Sequence, residues 1–209
     1  MIAVILALNA TRDGGRHAGL CDTFCDTCVL FHRCCGHRSH RFPVGCAWDK
    51  LPVAEQTRLR KEFKVDLRDG GFTILFANPD AATASEAARQ CELNTTPAQN
   101  ENLALGLARH AAVENAKQGI VDKGEDPAAL EKALAKVHAG KRETIGNRLA
   151  CPGPHESIGE WDASIRGAIG KARLDFKNTR AYSWVSLGLY AIMAEEGAMR
   201  RMAGTAGAC

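Results

Sequence analysis

Six of the nine cysteines in this chain lie within one short stretch, Cys21 to Cys46. That clustering limits what the chain can become more than any other feature. The stretch reads LCDTFCDTCVLFHRCCGHRSHRFPVGC. Cys21, Cys25 and Cys28 are four and three residues apart, and His32 and Cys35 continue the same step. At about 100° per residue, these five side chains fall within about a quarter-turn if the segment is helical. Such a helix presents four sulfurs and one imidazole along one side, bordered by Leu20, Phe24 and Phe31. Gly36 is a stop signal, and Pro43 and Gly45 mark a loop after it.

Three chemistries suit that stripe. The first is disulfide bonding. Cysteines on one helix face cannot bridge to their own neighbours without distorting the helix, because the bridge needs close, convergent Cβ atoms. Each would need a partner elsewhere, such as Cys46, Cys91 or Cys151. The second is a soft metal, zinc or cuprous copper, held by thiolates and one imidazole. The spacings do not match a zinc finger, which wants about twelve residues between its Cys and His pairs; Cys34, Cys35 and Cys46 form an alternative ligand set. Cysteines at helical spacing resemble copper-storage four-helix bundles, although the later helices supply only Cys91, Cys151 and Cys209. The third is an iron–sulfur cluster. The spacing of Cys21, Cys25 and Cys28 resembles that of radical-SAM enzymes, but the chain downstream supplies too few strands for their β/α barrel. Reduced cysteine can also pack as a small hydrophobe with no further role.

Apolar residues form 45% of the 209 positions and charged residues 24%, a globular balance that sets disorder and membrane bundles aside. Aromatics are only 6%, so the core must rest on Ala, Leu, Ile and Val. The formal charge of +3 is too slight to argue for nucleic acid. Residues 1–10, MIAVILALNA, could be the apolar part of a secretory signal or a buried strand, and are too short to span a bilayer. The far end, Met202 to Cys209, carries no lipid-attachment pattern. Asn9-Ala10-Thr11 and Asn94-Thr95-Thr96 match the N-glycosylation acceptor triplet, and Asn94 is the better placed, in a loop ahead of a helix. Together with the cysteine content, this points to an oxidising compartment; nine is odd, however, and leaves one thiol without an internal partner.

The remainder reads as helical. A helix is expected over Trp48 to Phe63, with Pro52 in its first turn. Phe72 to Phe76 is the clearest strand, closed by Asn78-Pro79-Asp80. Beyond it alanine rises, and Ala81 to Cys91, Asn100 to Val121 and Pro127 to His138 favour helix. Ser157 to Glu160 is a capping box ahead of a stripe of Ile158, Trp161, Ile165, Ile169, Ala172 and Phe176. The last helix, Arg180 to Met202, carries Tyr182, Val185, Leu189, Ile192 and Met199, and should pair antiparallel with the one before it across Lys177-Asn178-Thr179. Three regions result: 1–10, a cysteine-rich 11–78, and an alanine-rich helical 79–209. The fold class is mainly α, an antiparallel bundle or long helical hairpin with a cysteine-rich amino-terminal segment and at most a minor β element.

Familiar catalytic patterns are missing. The phosphate-loop and dinucleotide patterns do not occur. Glu195 and Glu196 lack the Glu-x-x-His companion of carboxylate metal sites. His110 and His138 read as surface or core residues, and the basic run Arg33 to Arg41 reads as a solvated loop.

The run His17-Ala18-Gly19-Leu20-Cys21, with alanine-rich helices, scattered cysteines and the Asn94 sequon, resembles the amino-terminal domains of trypanosome variant surface glycoproteins. That resemblance implies two long antiparallel helices, disulfides at their ends and a lipid-anchored coat. The chain departs from the family in its short length and its crowded early cysteines. The expected function is therefore a non-enzymatic, disulfide-stapled helical protein of the cell surface or secretory pathway. No cofactor is expected, the partner is a protein or a second copy rather than nucleic acid, and membrane association comes only through an anchor not visible here. The alternatives are an intracellular protein holding zinc or copper on Cys21 to Cys46, and a subunit of a larger assembly.

Overall fold

A computed structural model describes residues 43–68, 71–152, 155–156, 159–206 and 209. Contacts divide the chain into Met1–His40 and Arg41–Cys209, and every described residue lies in the second unit. The expected signal or strand at 1–10 and the thiol stripe of Cys21, Cys25, Cys28, His32, Cys34 and Cys35 lie outside the described residues.

The described unit is mainly α, with one small antiparallel sheet. It opens with α1 (Pro43–Lys50) and α2 (Val53–Glu62). Here the expected single helix from Trp48 is instead two. Pro43 opens a helix rather than a loop, as proline suits a first helical turn, and Pro52 separates that helix from the next. A hairpin follows, β1 (Lys64–Arg68) and β2 (Gly71–Leu75), paired from Lys64↔Leu75 to Arg68↔Gly71. The two-residue strand β3 (His155–Glu156) adds to the other edge of β2.

The helices then run α3 (Ala81–Gln90), α4 (Pro97–Val121), α5 (Ala129–Leu134), α6 (Ala139–Leu149), α7 (Gly159–Lys171) and α8 (Arg180–Met202). Their starts follow local chemistry. Asp80 caps α3 by accepting from Thr83 N at 2.8 Å. Thr96 and Gln99 form a reciprocal capping box, with Pro97 at the first helical position, so α4 begins three residues earlier than alanine content alone indicates. α6 falls where the sequence shows little apolar stripe, because only Ile145, Gly146 and Leu149 of it are buried.

α4 and α8 form the centre, antiparallel to one another. Gly106 of α4 meets Met199 of α8, His110 meets Glu195, Ala116 meets Gly188, and Gly119 meets Trp184. The expected neighbour of α8 was the helix before it. α7 does run back along α8, its Asp162 accepting from Tyr190 OH at 2.7 Å, but α4 is the main partner. α6 crosses α8 at Gly146 and Gly197, where a Cβ on either glycine would fall inside the facing backbone. Small residues let α8 be buried on several sides at once: Ala181, Gly188, Ala191, Ala194, Gly197 and Ala198 all lie inside.

Two large apolar clusters cover the pair, beside a small one of Ala112, Val113 and Ala191. One gathers Trp48, Leu51, Leu59, Leu103, Leu107 and Met199 beneath α1, α2 and α3. The other gathers Ile120, Leu130, Leu149, Trp161, Ile165, Val185 and Leu189 beneath α5, α6 and α7. Ile74 of β2 belongs to the second, so residues on both sides of the expected 78/79 boundary share one core. No described helix is long and apolar enough to cross a membrane.

Candidate functional site

The chemically distinctive groups among the described residues are two cysteine pairs and a buried arginine beside one of them. Cys46 of α1 pairs with Cys91, which caps the end of α3, at a Cα–Cα distance of 6.0 Å. Cys151, just beyond α6, pairs with Cys209 at 5.6 Å. Both separations are those of disulfides, and the chain is a disulfide-stapled helical protein. Both pairs anchor segments that flank the same end of the α4–α8 pair, where Gln99 Nε2 donates to Met202 O at 3.2 Å.

This pairing bears on the expected partners of the early cysteines. Cys46, Cys91 and Cys151 were the partners the thiol stripe would need, and each lies against another cysteine of the described unit. Cys46 is then also no thiolate for a set with Cys34 and Cys35. Cys209, which the sequence analysis did not single out for pairing, completes the second bridge. Among the described residues no group of three or more His, Cys, Asp or Glu side chains could hold a metal ion.

Arg109 is the group sequence reasoning missed. It is 1% exposed in the middle of α4. Its Nη2 donates to Leu149 O and Cys151 O, both at 3.0 Å, and its Nη1 to Leu105 O at 3.1 Å and Asn78 Oδ1 at 3.3 Å. The guanidinium also lies 4.4 Å over the Phe76 ring. It thereby satisfies orphan carbonyls at the end of α6 and ties α4, α6 and the loop after β2 together. Burial pulls its pKa down from the ordinary 12.5 to about 9, so it stays charged at neutral pH. A signal was available: Leu105, Arg109 and Val113 follow at intervals of four, which puts a cation on an otherwise apolar stripe.

A second arginine reaches the same helix end. Arg201 Nη2 lies 3.1 Å from Cys151 Sγ and 3.4 Å from Asn147 O, and its Nε is buried with no hydrogen-bond partner. Beside it a half-open groove of about 390 Å³ is lined by Asn78, Pro79, Glu101, Asn102, Leu105, Arg201 and Cys209, among others.

The remaining candidates have structural partners. His110 Nδ1 lies 3.1 Å from Glu195 Oε1, and its ring packs 5.3 Å from that of Trp48. The pair ties α4 to α8 and holds its imidazole against an indole rather than a nucleophile. His138 caps α6, its Nδ1 accepting from Gly140 N at 3.3 Å. Glu196 forms a forked pair with Arg142. Asn94 is exposed in the loop between α3 and α4, and Thr96 of its triplet is the α4 cap. No family model, no curated protein and no solved structure matches the chain.

Proposed function

We propose that this chain is a non-enzymatic structural or interaction protein that works outside the cytosol, in the secretory pathway or on a cell surface, with a surface-coat glycoprotein as the specific form. The observation that carries this reading is the pair of disulfides at one end of an alanine-rich antiparallel helix pair. Alanine buries little area per side chain, so such a core gains less from the hydrophobic effect. Cross-links of this kind persist in oxidising compartments. Exposed Asn94 supports a glycan at that position. Nine cysteines with four in bridges leave five, an odd number, so at least one thiol has no disulfide partner in its own chain; this favours a protein partner or a second copy.

Thiol titration of unreduced, denatured protein tests the reading. Five reactive thiols or fewer are expected, rising to nine on reduction; nine before reduction would sink it. An intact mass from the native source that equals the bare polypeptide removes the glycan.

A second reading rests on the same pairing. With the other four cysteines paired to each other, Cys21, Cys25, Cys28, Cys34 and Cys35, with His32, remain as soft donors for zinc or copper. Metal found by elemental analysis, with thiols released by chelator, selects that reading.

A further inference from the structure

The two bridges sit in different electrostatic surroundings. Cys46–Cys91 is half-buried against the cluster of Val44, Ala47 and Ala88, and among the described residues no cation bonds either sulfur. Cys151–Cys209 is lopsided. Cys151 is 9% exposed, Cys209 is open to solvent, and Arg201 Nη2 lies 3.1 Å from the Cys151 sulfur. Among the described residues Arg201 has no carboxylate within ion-pair distance, so its charge is not already committed.

We infer that Cys151–Cys209 is a polarised thiol-exchange site. A low-molecular-weight thiolate attacks the sulfur of the exposed residue Cys209, and Cys151 leaves as a thiolate held by Arg201. A new sulfur–sulfur bond forms between the incoming thiol and Cys209. The old bond breaks, and its electron pair passes to Cys151. No net oxidation occurs, and the attacker arrives already deprotonated. Exchange is fastest when the leaving sulfur has a low thiol pKa, and a neighbouring arginine lowers it.

One local effect opposes this. Cys151 follows the end of α6, and a helix carboxyl end carries about half a negative charge. Two full positive charges outweigh it: Arg109 on the Leu149 and Cys151 carbonyls, and Arg201 on the sulfur. The Asn147 carbonyl, which lies 3.6 Å from the sulfur and would favour a neutral thiol, itself accepts from Arg201. Glu101 lines the groove beside Cys209 and disfavours an attacker that carries carboxylates of its own, so the site suits thiolates with no further negative charge. The inference requires only that this bridge be formed; it stands apart from the coat role.

The test uses the full chain with its bridges intact. Free thiols are first blocked with iodoacetamide. Limiting β-mercaptoethanol is added, newly freed thiols are trapped with N-ethylmaleimide, and the adducts are mapped by peptide mass spectrometry. The expected map has mercaptoethanol on Cys209, maleimide on Cys151, and Cys46–Cys91 unopened. Mercaptoethanol on Cys151, an even split, or prior opening of Cys46–Cys91 would overturn the proposal, as would both cysteines being blocked at the start. Arg201→Gln should slow exchange about threefold or more, because the leaving Cys151 thiol loses the cation that lowers its pKa, and Arg201→Lys should restore most of it. A merely structural Arg201 predicts the opposite, since loosening the bridge would speed its opening.

Discussion

Arg109 shows how one side chain can hold an interior together with no ion-pair partner among the described residues. Its donors meet three backbone carbonyls and one amide oxygen, so the desolvation of the charge is offset by hydrogen bonds. Arg109→Leu keeps the bulk but strips the Leu149 and Cys151 carbonyls of their donor. It should cost about 3 kcal/mol in urea unfolding, and Arg109→Lys should recover little, because one ammonium cannot reproduce the fork. Tyr190 is a second buried polar side chain with a measurable signature. Burial, with the bond to Asp162, raises its pKa well above the ordinary 10. The native protein should therefore show its phenolate absorbance late in an alkaline titration, and Tyr190→Phe should remove that late step. In linkage terms the folded state holds this proton when the unfolded state has lost it, so the contribution of Tyr190 to stability falls as pH rises above 10.

Among the elements, helix contacts here are set by the absence of side chains. Gly146 and Gly197 let α6 cross α8 at backbone distance, and Gly119 makes room for the Trp184 indole. Gly146→Ala should part the two helices and cost about 3 kcal/mol or more, read as a lower urea midpoint. Gly167→Ala is the control. It lies within α7 with open space around its would-be Cβ, and it should stabilise by about 0.5–1 kcal/mol through helix propensity. A reversal of that order would mean that the close crossing does not hold α6 in place.

At the scale of the whole molecule, the bridges close loops with sequence separations of 45 and 58 residues. Chain-entropy reasoning assigns each about 4 kcal/mol. Replacing Cys46 and Cys91 together by serine should therefore lower the melting temperature by about 10 °C. The Cys151 and Cys209 pair should cost about as much, because chain entropy depends on loop length and not on how fast a bridge exchanges; differential scanning fluorimetry of the two double variants compares them.

The sequence alone determined the helical class, the extents of α3 and α8, the strand at β2, and the stripe of Trp161, Ile165 and Ile169, because helical periodicity and caps are local properties of neighbouring residues. It did not pair α8 with α4. That choice depends on glycines and alanines about eighty residues apart along the chain meeting face to face, as His110 and Glu195 do. β1 was readable in hindsight, since Val65 and Leu67 alternate with Lys64, Asp66 and Arg68 just ahead of Gly70-Gly71. Cysteine connectivity was open by nature: spacing restricts which thiols cannot meet, but only the folded backbone brings Cys46 to Cys91 and Cys151 to Cys209. Tertiary structure likewise decided the role of Arg109, for a cation on an apolar stripe becomes a helix cap only where another helix happens to end against it.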